Sequence, residues 1–593
     1  MNILKNFPLS KIALLLLTLL FAPHSLNNCY HHAFPQIDAD FFFSLLLMVI
    51  TIFIAWALLQ YFQKNPSKLF GRSVMVVEGY IFKTHTGLFV SCCTIIVLLS
   101  GYIVSLKMYD LVPRVSDEIA QLFQARIFLS GHLTAPSPPM PEFFTYSVDN
   151  MIVSPKWYSQ YPPGYPFMLT MGLFLGNPWI INPLLAAISV VLVFLLSKEA
   201  YNRTTAVVSV FLFSLSPKVI FTSGSLLNNT AAMFLMLLSF ATLLGSLRKN
   251  NALLALCAGL SIGLSLNIRP LDAVVMYIPI GIYFLIRCFH GRNGLKLLGM
   301  WLCGFGIMAI ILLLYNYKTN GDPFLFGYIV RWGENHYLGF HAIRGGTVHT
   351  PWKGLTNTLW QIRLADKAMF EWPLPVIFFI ALLFCFARAL LWDWIFLSII
   401  LLNIGLYFFW GWVDPGFMGR FYFASTPYII MLAARGVQCF VQILSKGLRA
   451  DSMDVQSEKP ARLLLVAGIF FLIAISTRYA DFNPQYYIPH LQVDERLKKT
   501  IERQSIHKAI VFIEPQDAHE LVVGSGFFMN TPDLASQDVI YAKDLGEKDY
   551  KLVQVFPGRQ GYIYRHRRDV QKKIDDSYCI SPPEAFELLP LKQ

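Results

Sequence analysis

The chain is 593 residues long, with 55% of them hydrophobic, 14% charged and a mean hydropathy of +0.50. One water-soluble core cannot bury that much apolar surface, so the chain reads as a polytopic membrane protein. Its net charge of +12 does not point to nucleic acid, because the basic excess is not a cluster on one polar face: the first 478 residues carry 33 Lys/Arg against 19 Asp/Glu, the remainder 15 against 17.

Hydrophobic runs of 17 to 22 residues, each about long enough to cross a hydrocarbon core of ~30 Å, begin near residues 41, 87, 182, 204, 226, 252, 271, 295, 373, 394, 420 and 462. A shorter run, 12–22, follows Lys5 and Lys11 as a signal peptide would. Ala22-Pro23-His24 is a poor cleavage site, however, and the run is counted as retained. The expected fold is therefore an α-helical membrane protein of about 13 transmembrane helices.

Lys and Arg near span ends resist translocation. With the N-terminus inside, the inner connections hold 19 basic and 6 acidic residues, and the outer ones before Tyr479 hold 14 and 13. That asymmetry predicts a cytoplasmic N-terminus and an extracytoplasmic C-terminal region. Of the nine cysteines only Cys29 and Cys579 then face the oxidising side, and their proximity is not legible from sequence.

Four regions follow in order. Residues 1–86 hold N-terminal spans and an inner loop, and 87–440 form the main membrane module, with outer loops 107–181 and 317–372. Residues 441–478 are an inner linker, most loop-like over 445–460, and a last span, and 479–593 form a small extracytoplasmic α/β domain. In that domain 509–513, 539–542 and 561–564 are β-type runs between polar and Gly/Pro segments, and Gly524-Ser525-Gly526 reads as a turn. In the first outer loop, 117–129 has the spacing of an amphipathic helix lying along the membrane surface, and 167–175 is a second helix too short to span.

Asp117-Glu118 opens the first of these helices behind Ser116, a natural N-cap, and acids are favoured in a first turn whatever else they do. A carboxylate fixed there can also take a proton from an acceptor hydroxyl. Adjacent helical residues point ~100° apart, so one acid would be the base and the other a positioning group. The run Trp157-Tyr158-Ser159-Gln160-Tyr161-Pro162-Pro163-Gly164-Tyr165-Pro166 reads equally as an interfacial aromatic belt or as a sugar wall of Tyr158, Tyr161 and Tyr165, with Lys156 placed to meet a phosphate. Arg269-Pro270 lies at an outer turn, and Arg420 enters a span after Asp414-Pro415-Gly416. Both arginines sit apart from the inner positive cluster, where a guanidinium can snorkel to headgroups or hold a phosphate bidentately. The spacings of His336, His341 and His349 suit no compact zinc site.

The acidic pair in a large first outer loop, the Tyr-Pro-Pro-Gly-Tyr-Pro closure, the Arg-Pro turn and the Gly-Arg-Phe-Tyr span entry together resemble the GT-C glycosyltransferases, over roughly residues 87–440. The branch they resemble contains the bacterial protein O-mannosyltransferase and lipid A aminoarabinose transferase-like enzymes. The resemblance implies transfer of one sugar from a polyprenyl-phosphate donor to an envelope glycolipid, polysaccharide or protein, on the outer face of the bacterial inner membrane and with inversion. It implies Asp117 as base with Glu118 beside it, and Arg269, Arg420 and Lys156 as phosphate contacts. Gln160-Tyr161 stands where the aminoarabinose transferase pattern has a lysine, which separates Lys156 from that pattern, and the spans before residue 87 are extra to the usual order. No resident cofactor is expected, and the need for a divalent metal is open. Partners are the lipid-linked donor, the acceptor and the bilayer, not nucleic acid. The competing readings are a transporter or flippase of lipid-linked saccharides, and a non-catalytic assembly subunit on the same scaffold.

Overall fold

The computed structural model describes residues 85–446 and 493–591, except 148, 292, 344–346, 373, 413–417, 516–520 and 567–585, and also describes residue 468. The expected spans at 12–22, near 41 and near 462, the linker beyond Lys446, and Cys29 and Cys579 lie outside these residues.

The described residues begin with α1 (Thr86–Lys107), followed by α2 (Ser116–Leu129) and a small antiparallel sheet in which β3 (Lys156–Ser159) lies between β1 (Ala135–Pro136) and β2 (Met151–Ile152). Helix α3 (Gly164–Phe174) closes this loop, and α4 (Ile181–Ala200), α5 (Arg203–Ser214), α6 (Pro217–Gly224), α7 (Asn229–Lys249), α8 (Ala252–Leu266), α9 (Pro270–His290) and α10 (Gly294–Asn320) build the middle of the membrane part. Helices α11 (Gly327–Trp332) and α12 (Pro351–Phe370) occupy the second loop, and α13 (Val376–Phe386), α14 (Leu391–Phe408) and α15 (Thr426–Lys446) complete the bundle.

The expectation of about 13 transmembrane helices is overturned. Among the described residues six helices are long and apolar enough to cross a membrane, or seven if the bent pair α5–α6 is one span. The apolar runs were real, but apolar length does not guarantee one continuous helix. The run from 204 breaks by 53° ahead of Pro217, whose ring removes a backbone donor and starts a new helix instead. Helices α8 and α13 have only 15 and 11 residues. The run from 420 starts as a 3-10 turn, Arg420–Ser425, and its continuation α15 buries Arg435, Gln438 and Gln442. Short α8 compensates with close packing: a Cβ at Gly259 would lie 2.0 Å from the Trp301 carbonyl oxygen on α10, so glycine there lets the two backbones touch.

After α16 (Arg496–Arg503), the C-terminal region forms a four-stranded sheet in the order β5 (Val539–Lys543), β4 (Ala509–Ile513), β6 (Gln560–His566), β7 (Phe586–Pro590). Strand β4 runs parallel to β5 and β6, and β7 pairs antiparallel with β6. All five residues of β4 are buried, as expected for a central strand covered on both faces. The three β-type runs of the sequence are strands, Gly524–Phe527 is a single helical turn rather than an open one, and β7 had no clear signal.

Helix α2 also departs from expectation, for it does not lie free along a surface. Residues 118–125 and Ile127 are buried, with Ala120, Phe123 and Ile127 packed in one cluster with Ile510 and Phe512 of β4 and with Trp157 of β3. Arg126 Nη1 donates to the carbonyls of Phe528 and Asn530 at 2.6 and 2.7 Å, and Arg114 Nη1 to that of Val493 at 3.2 Å. The helix is thus held between the first loop and the C-terminal sheet.

Candidate active site

The start of α2 fixes the two acids in different surroundings. Val115, not Ser116, is the N-cap; the Ser116 hydroxyl instead accepts from Asn150 Nδ2 at 3.0 Å. Three residues past the cap, Glu118 turns back so that Oε2 accepts from the N–H of Arg114, the residue before the cap, at 2.6 Å. Its other oxygen accepts from the Leu226 N–H at 2.8 Å, at the break between α6 and α7. Burial pushes the Glu118 carboxyl up to about 7, against the pull of those two N–H groups. Glu118 faces protein, and about a hundred degrees round the helix Asp117 faces an open cavity.

That cavity has a volume of about 710 Å³. Asp117 stands on its wall 26% exposed; Oδ1 accepts a very short hydrogen bond from the Tyr161 hydroxyl, and Oδ2 lies 3.4 Å from Arg420 Nη2. Burial, and then the adjacent carboxylate, hold the Tyr161 phenol well above its ordinary value, so it remains the donor. Arg420 opens the 3-10 turn into α15. Arg269, just before α9, also lines the cavity and is held by Asp272, by the Tyr407 hydroxyl at 2.5 Å and by Asn228 Oδ1 at 3.3 Å.

The Pro-rich closure contributes to this convergence. The N–H of Gly164 donates to the Asn267 carbonyl at 2.8 Å, two residues ahead of Arg269, and a Cβ at Gly164 would stand 2.7 Å from that same oxygen. Only glycine lets the Tyr161 segment close so tightly on the Arg269 turn.

Of the proposed site residues, Asp117, Tyr161, Arg269 and Arg420 meet at the cavity, and Glu118, Lys156, Tyr158 and Tyr165 do not line it. Lys156 donates to the Lys318 carbonyl at 2.9 Å and Tyr158 to Asn320 Oδ1 at 2.8 Å, so both tie β3 to the end of α10. Tyr165 is fully buried among Tyr109, Leu122, Leu169 and Trp179.

Several lining residues escaped the sequence reading. Asp272 and Asn228 carried usable signals, an Arg-x-x-Asp spacing and a pair of adjacent asparagines beside a span. Tyr328, Trp332 and Trp410 had none, since aromatics are common throughout the chain, and His336 was weighed only as a metal ligand. Tyr328 meets Tyr161 edge-on at 5.5 Å, and His336 stacks on Tyr328 and meets the Trp410 edge at 4.7 Å. Burial lowers the His336 imidazole to about 4. The cavity thus has a charged floor, a polar wall of Ser116, Asn150 and Gln160, and an aromatic wall. Such a space suits a polar ring stacked on aromatics with an anionic group on the arginines. Among the described residues no group of three His, Cys, Asp or Glu is placed to hold a metal ion.

Residues 161–315 match the family model described as dolichyl-phosphate-mannose-protein mannosyltransferase. No curated protein matches the chain. Among solved structures, ArnT from Cupriavidus metallidurans bound to undecaprenyl phosphate is similar at a TM-score of 0.49 and 10% identity, covering 85% of this chain and 97% of that one. Its apo form gives 0.46 and 12% over the same shares. An apo oligosaccharyltransferase from Archaeoglobus fulgidus gives 0.35 and 13%, covering 80% of this chain and 69% of that one. The family match covers 155 of the 593 residues and includes Tyr161 and Arg269 of the cavity.

Proposed function

We propose that this multi-pass membrane glycosyltransferase moves one sugar from a polyprenyl-phosphate donor to a cell-envelope acceptor, on the outer side of the bacterial inner membrane, by a single inverting displacement. The observation that carries the reading is the meeting of Asp117, Tyr161 and Arg420, from three distant parts of the chain, on one cavity that Arg269 also lines.

In the proposed reaction an acceptor hydroxyl gives its proton to Asp117 Oδ2 as its oxygen attacks the anomeric carbon. The bond from that carbon to the phosphate oxygen breaks, and its electron pair leaves on the phosphate, where Arg420 and Arg269 stabilise the added charge. Phosphate binding also competes with Asp117 for the Arg420 guanidinium. A donor that draws Arg420 away leaves Oδ2 freer to act as base. Glu118 positions the base by holding the start of α2, and Lys156, Tyr158 and Tyr165 hold the loops rather than the substrate.

The test is mass spectrometry of envelope lipids and glycans from cells with the gene, without it, and with the Asp117→Asn form. One defined sugar should be missing in the second and third samples. An envelope unchanged by loss of the gene would reject the reading.

A further inference from the structure

The break between α5 and α7 touches the site at every turn. Leu226 binds Glu118, Asn228 binds Arg269, and Asn229 Nδ2 donates to the Arg420 carbonyl at 2.9 Å. One further contact has no part in the reaction described above. Lys218, the second residue of α6, is 1% exposed, and its Nζ donates to the carbonyls of Met418 and Gly419 at 2.5 and 3.1 Å.

Those two carbonyls belong to the residues immediately before Arg420, and both residues are left-handed, with φ of 49° at Met418 and 63° at Gly419. Consecutive left-handed residues are an unfavourable backbone unless something holds them. The paired geometry turns both carbonyls toward one amino group, and the Asn229 contact holds the next carbonyl along. A buried lysine head needs acceptors, and among the described residues its hydrogen bonds go to the backbone that precedes Arg420. On the same turn the Ser216 hydroxyl donates to the Met369 carbonyl at 2.7 Å, fixing α6 against the end of α12.

We infer that Lys218 is a positioning residue for donor binding, which holds the Met418-Gly419 backbone so that the Arg420 guanidinium points into the cavity. The inference rests on the reading of Arg420 as a phosphate contact.

The test uses the full-length protein in lipid nanodiscs with undecaprenyl phosphate as the probe. Arg420→Ala should weaken binding roughly tenfold to a hundredfold, as loss of a charge-assisted contact does. Lys218→Met should weaken it about tenfold, and the double variant should bind no more weakly than Arg420→Ala alone, because both changes remove one contact. A merely structural lysine would give additive losses. If Lys218→Met does not accumulate, Gly419→Ala takes its place: its Cβ would lie 2.6 Å from the Gln361 carbonyl oxygen and turn the same backbone while the lysine itself is kept. Full binding by Arg420→Ala would sink the phosphate reading and this inference with it. Loss in Arg420→Ala with full binding in Lys218→Met or Gly419→Ala, or with additive losses, would overturn the inference alone.

Discussion

One oxygen of Asp117 receives the Tyr161 hydroxyl, and the other stands 3.4 Å from Arg420. The carboxylate is therefore aimed from one side and loosely paired on the other, a long contact that a competing anion can take over. Asp117→Asn keeps the size and the Tyr161 contact but removes the base, and we expect transfer to fall on the order of 10²-fold or more with donor binding nearly unchanged. Single-turnover transfer by the purified variant measures this directly, and a near-normal rate would remove Asp117 from the chemistry.

Glu118 should behave differently, because both its oxygens are engaged by backbone N–H groups. Glu118→Gln leaves one of those donors facing an amide nitrogen and should cost ~1 to 3 kcal/mol of stability, with a milder effect on turnover than Asp117→Asn. The pH dependence has a definite sign. The folded carboxyl is raised from 4.5 to about 7, so the folded state holds the proton more tightly. That contribution is full below pH 4.5 and disappears as pH rises through about 7. The stability of wild type relative to Glu118→Gln should fall across this window and stay level above it. Thermal melts in nanodiscs at a series of pH values read the difference, and a rise with pH would contradict the assignment.

The two arginines should separate in the same assays. Arg269 is braced by Asp272, whose side chain is 2% exposed, and truncation to alanine would leave that carboxylate buried without its partner, a loss of ~3 to 5 kcal/mol. Arg420 faces the more exposed Asp117, so its truncation should weaken undecaprenyl phosphate binding by ~1.5 to 3 kcal/mol with less loss of fold. Arg269→Ala paired with Asp272→Asn should recover stability without recovering donor binding. Recovery of both would show that Arg269 has only a structural role.

How much of this was legible in the sequence depended on whether a residue's partner was local. The strand-like runs 509–513 and 539–542 needed only their own pattern and are strands. Asp117 stood out in the acidic pair that opens a loop helix, and Arg269 and Arg420 as arginines apart from the main basic cluster, each beside a proline- or glycine-marked turn. Their separation from Lys156 and Tyr165 did not show, since it is decided by which face of β3 or α3 packs inward. Counting apolar runs also failed for a physical reason: hydropathy is summed over a window, whereas the break at Pro217 and the 3-10 turn at Arg420 are backbone events inside apolar sequence. Those two breaks carry Lys218 and Arg420, so the miscounted spans and the candidate site are the same places.

The aromatic wall depends on a second contact between loops. Arg331 Nε and Nη2 donate to Asp149 Oδ1 at 3.0 and 2.9 Å, and Asp149 also accepts from the Thr145 hydroxyl and the Tyr146 N–H. Arg331 sits on α11 between Tyr328 and Trp332, both of which line the cavity. Breaking this pair should let α11 drift from the first loop. With Asp149 buried and Arg331 partly exposed, we expect Arg331→Met to cost ~2 kcal/mol, below the range for a fully buried pair. It should raise KM for the acceptor more than it lowers kcat. The reverse split would place Arg331 in the chemistry instead of the wall.

The orientation of the whole reading can be tested through the C-terminal sheet. Arg126 and Arg114 bind carbonyls of the C-terminal region at Phe528, Asn530 and Val493, and Phe143 meets Phe512 of β4 edge-on at 6.1 Å, so the sheet and Asp117 share one side of the membrane. A label on the sheet therefore reports the side on which the candidate site opens. The basic excess of the inner connections predicts that side to be extracytoplasmic. Lys551 is exposed on the helix that precedes β6. Lys551→Cys, in a form with Cys29 and Cys579 changed to serine, should react with a membrane-impermeant thiol reagent in intact spheroplasts as fully as after lysis. Protection until lysis would put the sheet and Asp117 in the cytoplasm. An extracytoplasmic acceptor could not then reach the base, and the proposed direction of transfer would fall.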